Sequence, residues 1–206
     1  VITLQSPGSN MYLHTTRLIL RNFIDSDLES FLAYRNDPMV AKYQGWGIPY
    51  PREKGEAFIS SMKERVALKQ NDWIQYAVAL KDTDELIGDL GCYIKKDDVR
   101  QARIGFTLAA KYWRKGYISE VIPYLLEYLF EDMDIHRVAA DCDVENVASF
   151  RTLEKLGFRR EAHFVESFLV NGVYTSEYHY GLLQREWREN SKVDNVQRDG
   201  AGLGWV

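Results

Sequence analysis

Residues 103–133 read RIGFTLAAKYWRKGYISEVIPYLLEYLFEDM, and this stretch decides the fold. A strand runs into a short loop, Trp113-Arg114-Lys115-Gly116-Tyr117-Ile118-Ser119, which opens a long apolar helix; loop and helix together span residues 111–133. A helix start presents unpaired backbone N–H groups and the positive end of the helix dipole, so it favours an anion. Gly116 lets the backbone approach that anion closely. Arg114 and Lys115 place two positive charges there, in a chain whose net charge is −4. These features describe a diphosphate cradle, and a solvated basic turn fits the segment alone equally well. The stretch has neither G-x-x-x-x-G-K-[ST] nor G-x-G-x-x-G, which excludes the two common nucleotide loops. Pro123 falls inside the expected helix and forfeits a bond to the Ser119 carbonyl.

Working outward, residues 12–21 read as one half-buried strand. Asp25 or Ser26 starts a helix through Arg35, with Leu28, Phe31 and Leu32 on one face, and Asp37-Pro38 stops it. The glycine-, proline- and aromatic-rich residues 42–51 form a loop, and residues 52–69 a second amphipathic helix. Strands are expected at 73–80, 85–95, 100–108 and 136–142, and a helix at 146–156 closed by Gly157. Residues 158–169 and 173–183 form a hairpin around Asn171-Gly172, the strongest two-residue turn signal in the chain. Three antiparallel strands followed by a βαβ crossover predict a mixed α/β sheet covered by helices.

At 206 residues the chain suits one domain. The expected division is a leader over 1–10, either disordered or foreign to a natural start at Met11, a domain over 11–189 and a tail over 190–206. Hydrophobic residues at 46% and charged residues at 27% are the balance of a water-soluble domain. No apolar run approaches the roughly 18–20 residues that span a bilayer, so no membrane partner is expected. The mild negative charge gives no general drive toward nucleic acid. Cys92 and Cys142 stand far apart and read as reduced core thiols of a cytoplasmic protein. The four histidines show no metal-ligand spacing, and no metal is expected.

A second informative run is DVENVASFRTLEKLGF, residues 143–158. Asn146 and Ser149 stand one helical turn apart and can face one ligand edge, while Asn146 is equally suited to cap the helix. Together, TTRLILRNFIDSDL, WRKGYISE, NVASFRTLEKLGF and YGLLQREW, in this order between Leu13 and Trp187, resemble the GCN5-related N-acetyltransferase (GNAT) family. The closer likeness is to its ribosomal-protein alanine acetyltransferase branch.

That resemblance implies a GNAT fold: a mostly antiparallel sheet of about seven strands, its fourth and fifth splayed apart, with about four flanking helices. It implies acetyl-CoA as co-substrate and N-acetylation of a primary amine by direct attack. The pantetheine arm would bond the backbone at Phe106, Thr107 and Leu108, and the diphosphate the amides of Arg114, Lys115, Gly116, Tyr117, Ile118 and Ser119. Asn146 would bond the pantetheine, with Ser149 near the sulfur. The chain departs from the family loop at Trp113 and Ile118. Leu153 stands where many relatives carry a tyrosine acid, which makes Ser149 the candidate general acid. Asp89, Glu166 and Glu177 are strand carboxylates that could serve as base, and Glu177 is the one put forward. Tyr43, Trp46 and Tyr50 are candidate acceptor-site aromatics that could equally pack their loop. The expected acceptor is a ribosomal-protein or other peptide N-terminus, or a small amine, taken by a monomer or homodimer. The alternatives are a non-catalytic acyl-CoA-binding sensor or subunit, and a nucleotide-binding domain.

Overall fold

A computed structural model of the chain describes residues 12–65, 68, 70–170 and 172–190. The expected leader and Met11, the residues Val66, Ala67 and Lys69 at the end of the expected second helix, Asn171 of the hairpin turn, and the expected tail beyond Asn190 lie outside the described residues. Eight strands form one sheet, in the order β1-β2-β3-β4-β5-β6-β8-β7. They are β1 (Tyr12–His14), β2 (Leu18–Arg21), β3 (Trp73–Leu80), β4 (Leu86–Ile94), β5 (Gln101–Leu108), β6 (Arg137–Asp143), β7 (Arg159–Val170) and β8 (Val173–Leu183). Every neighbouring pair is antiparallel except β5 and β6.

The eighth strand arises where one strand was expected over 12–21. The chain folds back at Thr15, whose N–H donates to the Leu18 carbonyl at 2.9 Å while its hydroxyl accepts from the Leu18 N–H at 2.9 Å. A Thr-Thr pair is a weak turn signal, because the hydroxyl must find its partners before it beats strand propensity.

Helices α1 (Leu28–Arg35), α2 (Pro38–Ala41) and α3 (Arg52–Lys63) precede β3, α4 (Tyr117–Glu127) joins β5 to β6, and α5 (Val147–Lys155) follows β6. Residues 184–190 are also helical. The count therefore exceeds the four expected. α3 ends earlier than its apolar pattern suggests, with the Asn22 amide donating to the Arg65 carbonyl at 2.7 Å just beyond. α4 runs through Pro123 and passes into a π-turn over Tyr128–Asp132.

Two cores sandwich the sheet. Val121, Ile122, Leu125 and Leu129 pack onto one face against Leu20, Tyr76, Leu90 and Ile104. Phe23, Phe31, Tyr34, Tyr50 and Ile59 pack onto the other with Ala77 and Leu86. Cys92 and Cys142 are buried free thiols, pushed by burial up to about 12 and about 11. They are packing groups, not nucleophiles.

Gly88 is fixed by close approach: a Cβ there would stand 2.1 Å from the Thr107 carbonyl oxygen and 2.9 Å from the Leu108 Cα, both backbone atoms of β5. Gly88→Ala is therefore expected to destabilise the fold by about 2–3 kcal/mol, in the range of core overpacking. Urea unfolding measures this, and a change under about 0.5 kcal/mol, the scale of a neutral surface substitution, contradicts the stated β4–β5 approach.

Candidate active site

The parallel strands β5 and β6 pair only over Gln101↔Arg137, Ala102↔Val138 and Arg103↔Ala139. Beyond that point β5 runs on to Leu108 and β6 to Asp143 without pairing to each other, while β5 stays paired with β4 and β6 with β8. An ion pair between Arg103 and Asp141 spans the start of the gap. Strand backbone facing such a gap keeps donors and acceptors that the fold does not use. The expected splay thus lies between β5 and β6, the fifth and sixth strands once the first hairpin is counted.

A cavity of about 300 Å³ occupies the gap. Its walls are Arg103–Phe106 backbone and side chains of β5, Cys142 and Asp143 of β6, Asn146, Ser149 and Leu153 around α5, and Phe168, Val170, Thr175 and Glu177 of the last hairpin. Tyr43 borders it from the loop after α2. Asn146 does cap α5, its side-chain oxygen accepting from the Ser149 N–H at 3.2 Å. Its amide nitrogen has no partner among the described residues. Against the rise from burial, Ser149 draws the Cys142 thiol pKa down.

The 113–119 turn lies past the C-terminal end of β5, outside this cavity. Arg114 and Gly116 both take left-handed backbone angles, φ 59° and 77°. No side chain caps the α4 N-terminus. Only one atom, a guanidinium nitrogen of Arg17 at 3.6 Å, lies within 4 Å of the place a Gly116 Cβ would occupy. Arg114 and Lys115 are exposed. The turn is therefore open, with free amides and exposed cations of the kind that suit an anion. Ile118 faces the core instead, so only its main chain is free to serve the turn. Trp113 turns away from the cradle, its indole N–H donating to the Leu108 carbonyl at 2.8 Å. That bond occupies the Leu108 oxygen, one of the expected pantetheine contacts.

Arg17 is a cradle residue that sequence reasoning missed. Its Nε donates to Glu120 at 2.6 Å, and its guanidinium lies 4.5 Å from the Tyr117 ring centroid. The two partners are 103 residues apart, and nothing in local spacing announces the contact.

A second cavity, of about 410 Å³, shares Gln44, Trp73, Gly105 and Phe106 with the first and continues to Arg35, Trp46, Gln75, Asp89 and Thr107. Asp89 is only 2% exposed. Its Oδ2 accepts from the Tyr34 hydroxyl at 2.5 Å and from Arg35 Nη2 at 3.2 Å. Burial pushes the Asp89 carboxyl above the usual aspartate range, against the opposing pull of Arg35 and Tyr34. Oδ1 has no partner among the described residues. Arg35 itself lies 3.7 Å from the Trp46 ring centroid, and the Trp46 indole donates to the Arg35 carbonyl at 3.0 Å. The adjacent Tyr34-Arg35 pair on α1 was read only as the end of a helix. Its role depends on α1 packing over β4, which no local pattern encodes.

The candidate carboxylates are therefore separated. Glu166 sits on the exposed bulge of β7, outside both cavities. Glu177 lines the first cavity, 3.4 Å from the Ser167 hydroxyl and 3.8 Å from His179. Asp89 stands in the second. Of the candidate acceptor aromatics, Tyr43 and Trp46 line cavities, whereas Tyr50 is buried against Phe31 in the core and lines neither.

A split parallel pair of strands, with an uncapped helix start beyond its open end, is the arrangement that the resemblance to acyl-CoA-dependent transferases implies. The acetyltransferase (GNAT) domain family matches residues 17–159, and the chain belongs to that family. It is an acetyl-CoA-dependent acetyltransferase. The chain is 34% identical to "Uncharacterized N-acetyltransferase YnaD" of Bacillus subtilis, over 86% of this chain and 99% of that one. Over 43% of its length, and 48% of the other's, it is 35% identical to YdaF of the same organism, which is named provisionally as a ribosomal N-acetyltransferase. The crystal structure of a GNAT-family acetyltransferase from Bacillus anthracis superposes with a TM-score of 0.75 at 30% identity, covering 85% of this chain and 99% of that one. Among the described residues no helix is long and apolar enough to cross a membrane.

Proposed function

We propose that the chain transfers acetyl from acetyl-CoA directly to a primary amine, a peptide N-terminus or a small amine, with Asp89 as the proton acceptor. One observation carries this reading. The gap between β5 and β6, suited to a pantetheine arm, opens at Gly105 and Phe106 into a cavity that ends on a buried carboxylate. The amides of residues 114–119 and the cations Arg17, Arg114 and Lys115 would hold the diphosphate. Acetyl-CoA brings an activated thioester; this chain orients it and manages protons.

An alkylammonium has a pKa well above 7 and must first give one proton to solvent water to become the attacking amine. As the C–N bond forms, the nitrogen's acidity rises steeply, so a carboxylate becomes an adequate base at that moment. Asp89 has one oxygen fixed by Tyr34 and Arg35 and the other available. A β5 backbone N–H at the gap would stabilise the oxyanion. The C–S bond then breaks, and the thiolate takes a proton from Ser149 or water. Glu177, on the hairpin wall, is better placed to bind an acceptor than to deprotonate it. With two buried reduced thiols, the chain suits the cytoplasm.

The test is acetyl-CoA thermal shift followed by release of CoA thiol across peptide and small amines. Stabilisation with amine-dependent thiol release is expected. Affinity without turnover on any amine sinks the proposal. Ser149→Ala is expected to lower kcat only about tenfold, below the roughly 100-fold floor usual for general acid catalysis, because a thiolate leaves readily. A loss beyond about a thousandfold would require Ser149 to do more than protonate the leaving group.

A further inference from the structure

Register places Trp73, Gln75 and Ala77 of β3 beside Tyr93, Gly91 and Asp89 of β4, and these beside Arg103, Gly105 and Thr107 of β5. Residues alternate between sheet faces, so this is one face, and Gly91 and Gly105 lie directly opposite each other on it. The Trp73 ring covers Gly91, which is buried, so the open part of the trough they leave lies over Gly105. A Cβ on Gly91 would meet the Trp73 ring at 3.2 and 3.3 Å. A Cβ on Gly105 would meet nothing within 4 Å, and Gly105 has no left-handed backbone angle. Neither neighbours nor backbone therefore require glycine at 105. A glycine inside a strand weakens it and often marks close approach of a ligand. Gly105 borders both cavities.

We propose that Gly105, beside the Trp73-covered Gly91, floors the acceptor channel and sets the acceptor's width beside the reacting carbon. The acceptor is a slender primary ammonium whose nitrogen sits on an unbranched methylene. The walls select charge as well as width. The channel runs past Trp46, whose ring already carries Arg35, and Trp73, whose half-exposed ring can attract a cation, to the Asp89 carboxylate. The lining cation of the second cavity, Arg35, is 4% exposed and ion-paired through Nη2 to Asp89, which offsets its charge against an incoming carboxylate or phosphate. This inference rests on the amine acetyl transfer proposed above.

Gly105→Ala and Gly105→Val test it, with 1,5-diaminopentane and 2-aminobutane as acceptors and paired tripeptides beginning with Gly or Val. The native protein is expected to favour each unbranched amine at least 30-fold. Gly105→Val is expected to lower kcat/KM for 1,5-diaminopentane at least 100-fold, and Gly105→Ala about tenfold, with melting temperature maintained and acetyl-CoA affinity within twofold. Native turnover by Gly105→Val, or equal native rates on branched amines, overturns the inference while leaving acetyl transfer intact. A parallel loss of acetyl-CoA affinity assigns Gly105 to the donor side and also overturns it. Should the native protein acetylate no amine, the parent proposal fails, and tryptophan fluorescence decides the channel. Quenching by 1,5-diaminopentane that disappears in Gly105→Val supports it, and no quenching in the native protein rejects it.

Discussion

Asp89→Asn is expected to lower kcat/KM for the amine acceptor about 100- to 1,000-fold, the usual range for a lost general base, while acetyl-CoA still binds. Asparagine keeps the shape and can still accept from Tyr34, but it cannot take a proton. It also leaves Arg35 buried beside a neutral partner, and breaking a buried pair costs about 3–5 kcal/mol. Acetyl-CoA affinity is therefore measured alongside to report the folded fraction. Tyr34→Phe separates catalysis from stability. The native rate should fall as pH drops through the Asp89 pKa, at a limb above the ordinary aspartate value of about 3.9. Tyr34 donates to the carboxylate and pulls its pKa down, so its removal moves that limb to higher pH. An unmoved acid limb in Tyr34→Phe, or a fully active Asp89→Asn, would transfer the role of base to Glu177.

Gly116→Val is expected to weaken acetyl-CoA binding about 100-fold. The reasoning is local. Gly116 holds φ 77°, and its Cβ position opens onto the cradle beside Arg17. A β-branched residue resists that backbone by about 1–3 kcal/mol. If the turn relaxes, the amides of the first turn of α4 lose their common focus. Hydrogen bonds to a charged group contribute about 1.5–3 kcal/mol each, so losing one or two accounts for the factor. The turn is exposed, and the fold should survive with a lowered melting temperature. Calorimetric titration with acetyl-CoA reads the effect directly. Native affinity in a folded Gly116→Val protein removes the diphosphate from this turn.

Much of this was legible in the chain because it depends on near neighbours. Residues 103–133 announce strand, turn and helix, with Gly116 at the position that needs a left-handed angle. Alternation recovered the central strands to within about two residues, the usual uncertainty of an element boundary. Asn146 was weighed both as cap and as ligand, and it does cap, with its amide nitrogen left to donate. The Thr15 turn was missed because a hydroxyl competes with a strand only when tertiary partners favour it. Here Glu120 accepts that hydroxyl at 2.5 Å.

By itself the sequence determined the order of most elements and the start of the long helix after β5, and the resemblance of four short motifs in order pointed to the family. The first two follow from periodicity, capping and backbone sterics acting over a few residues. Only the tertiary structure decided which carboxylate is buried at the end of a cavity. α1 had to fold over β4 before Tyr34 and Arg35 could fix one oxygen of Asp89. β4 and β5 had to pair before Gly91 could lie opposite Gly105. Burial and register are properties of distant segments brought together, and no short stretch of chain contains them.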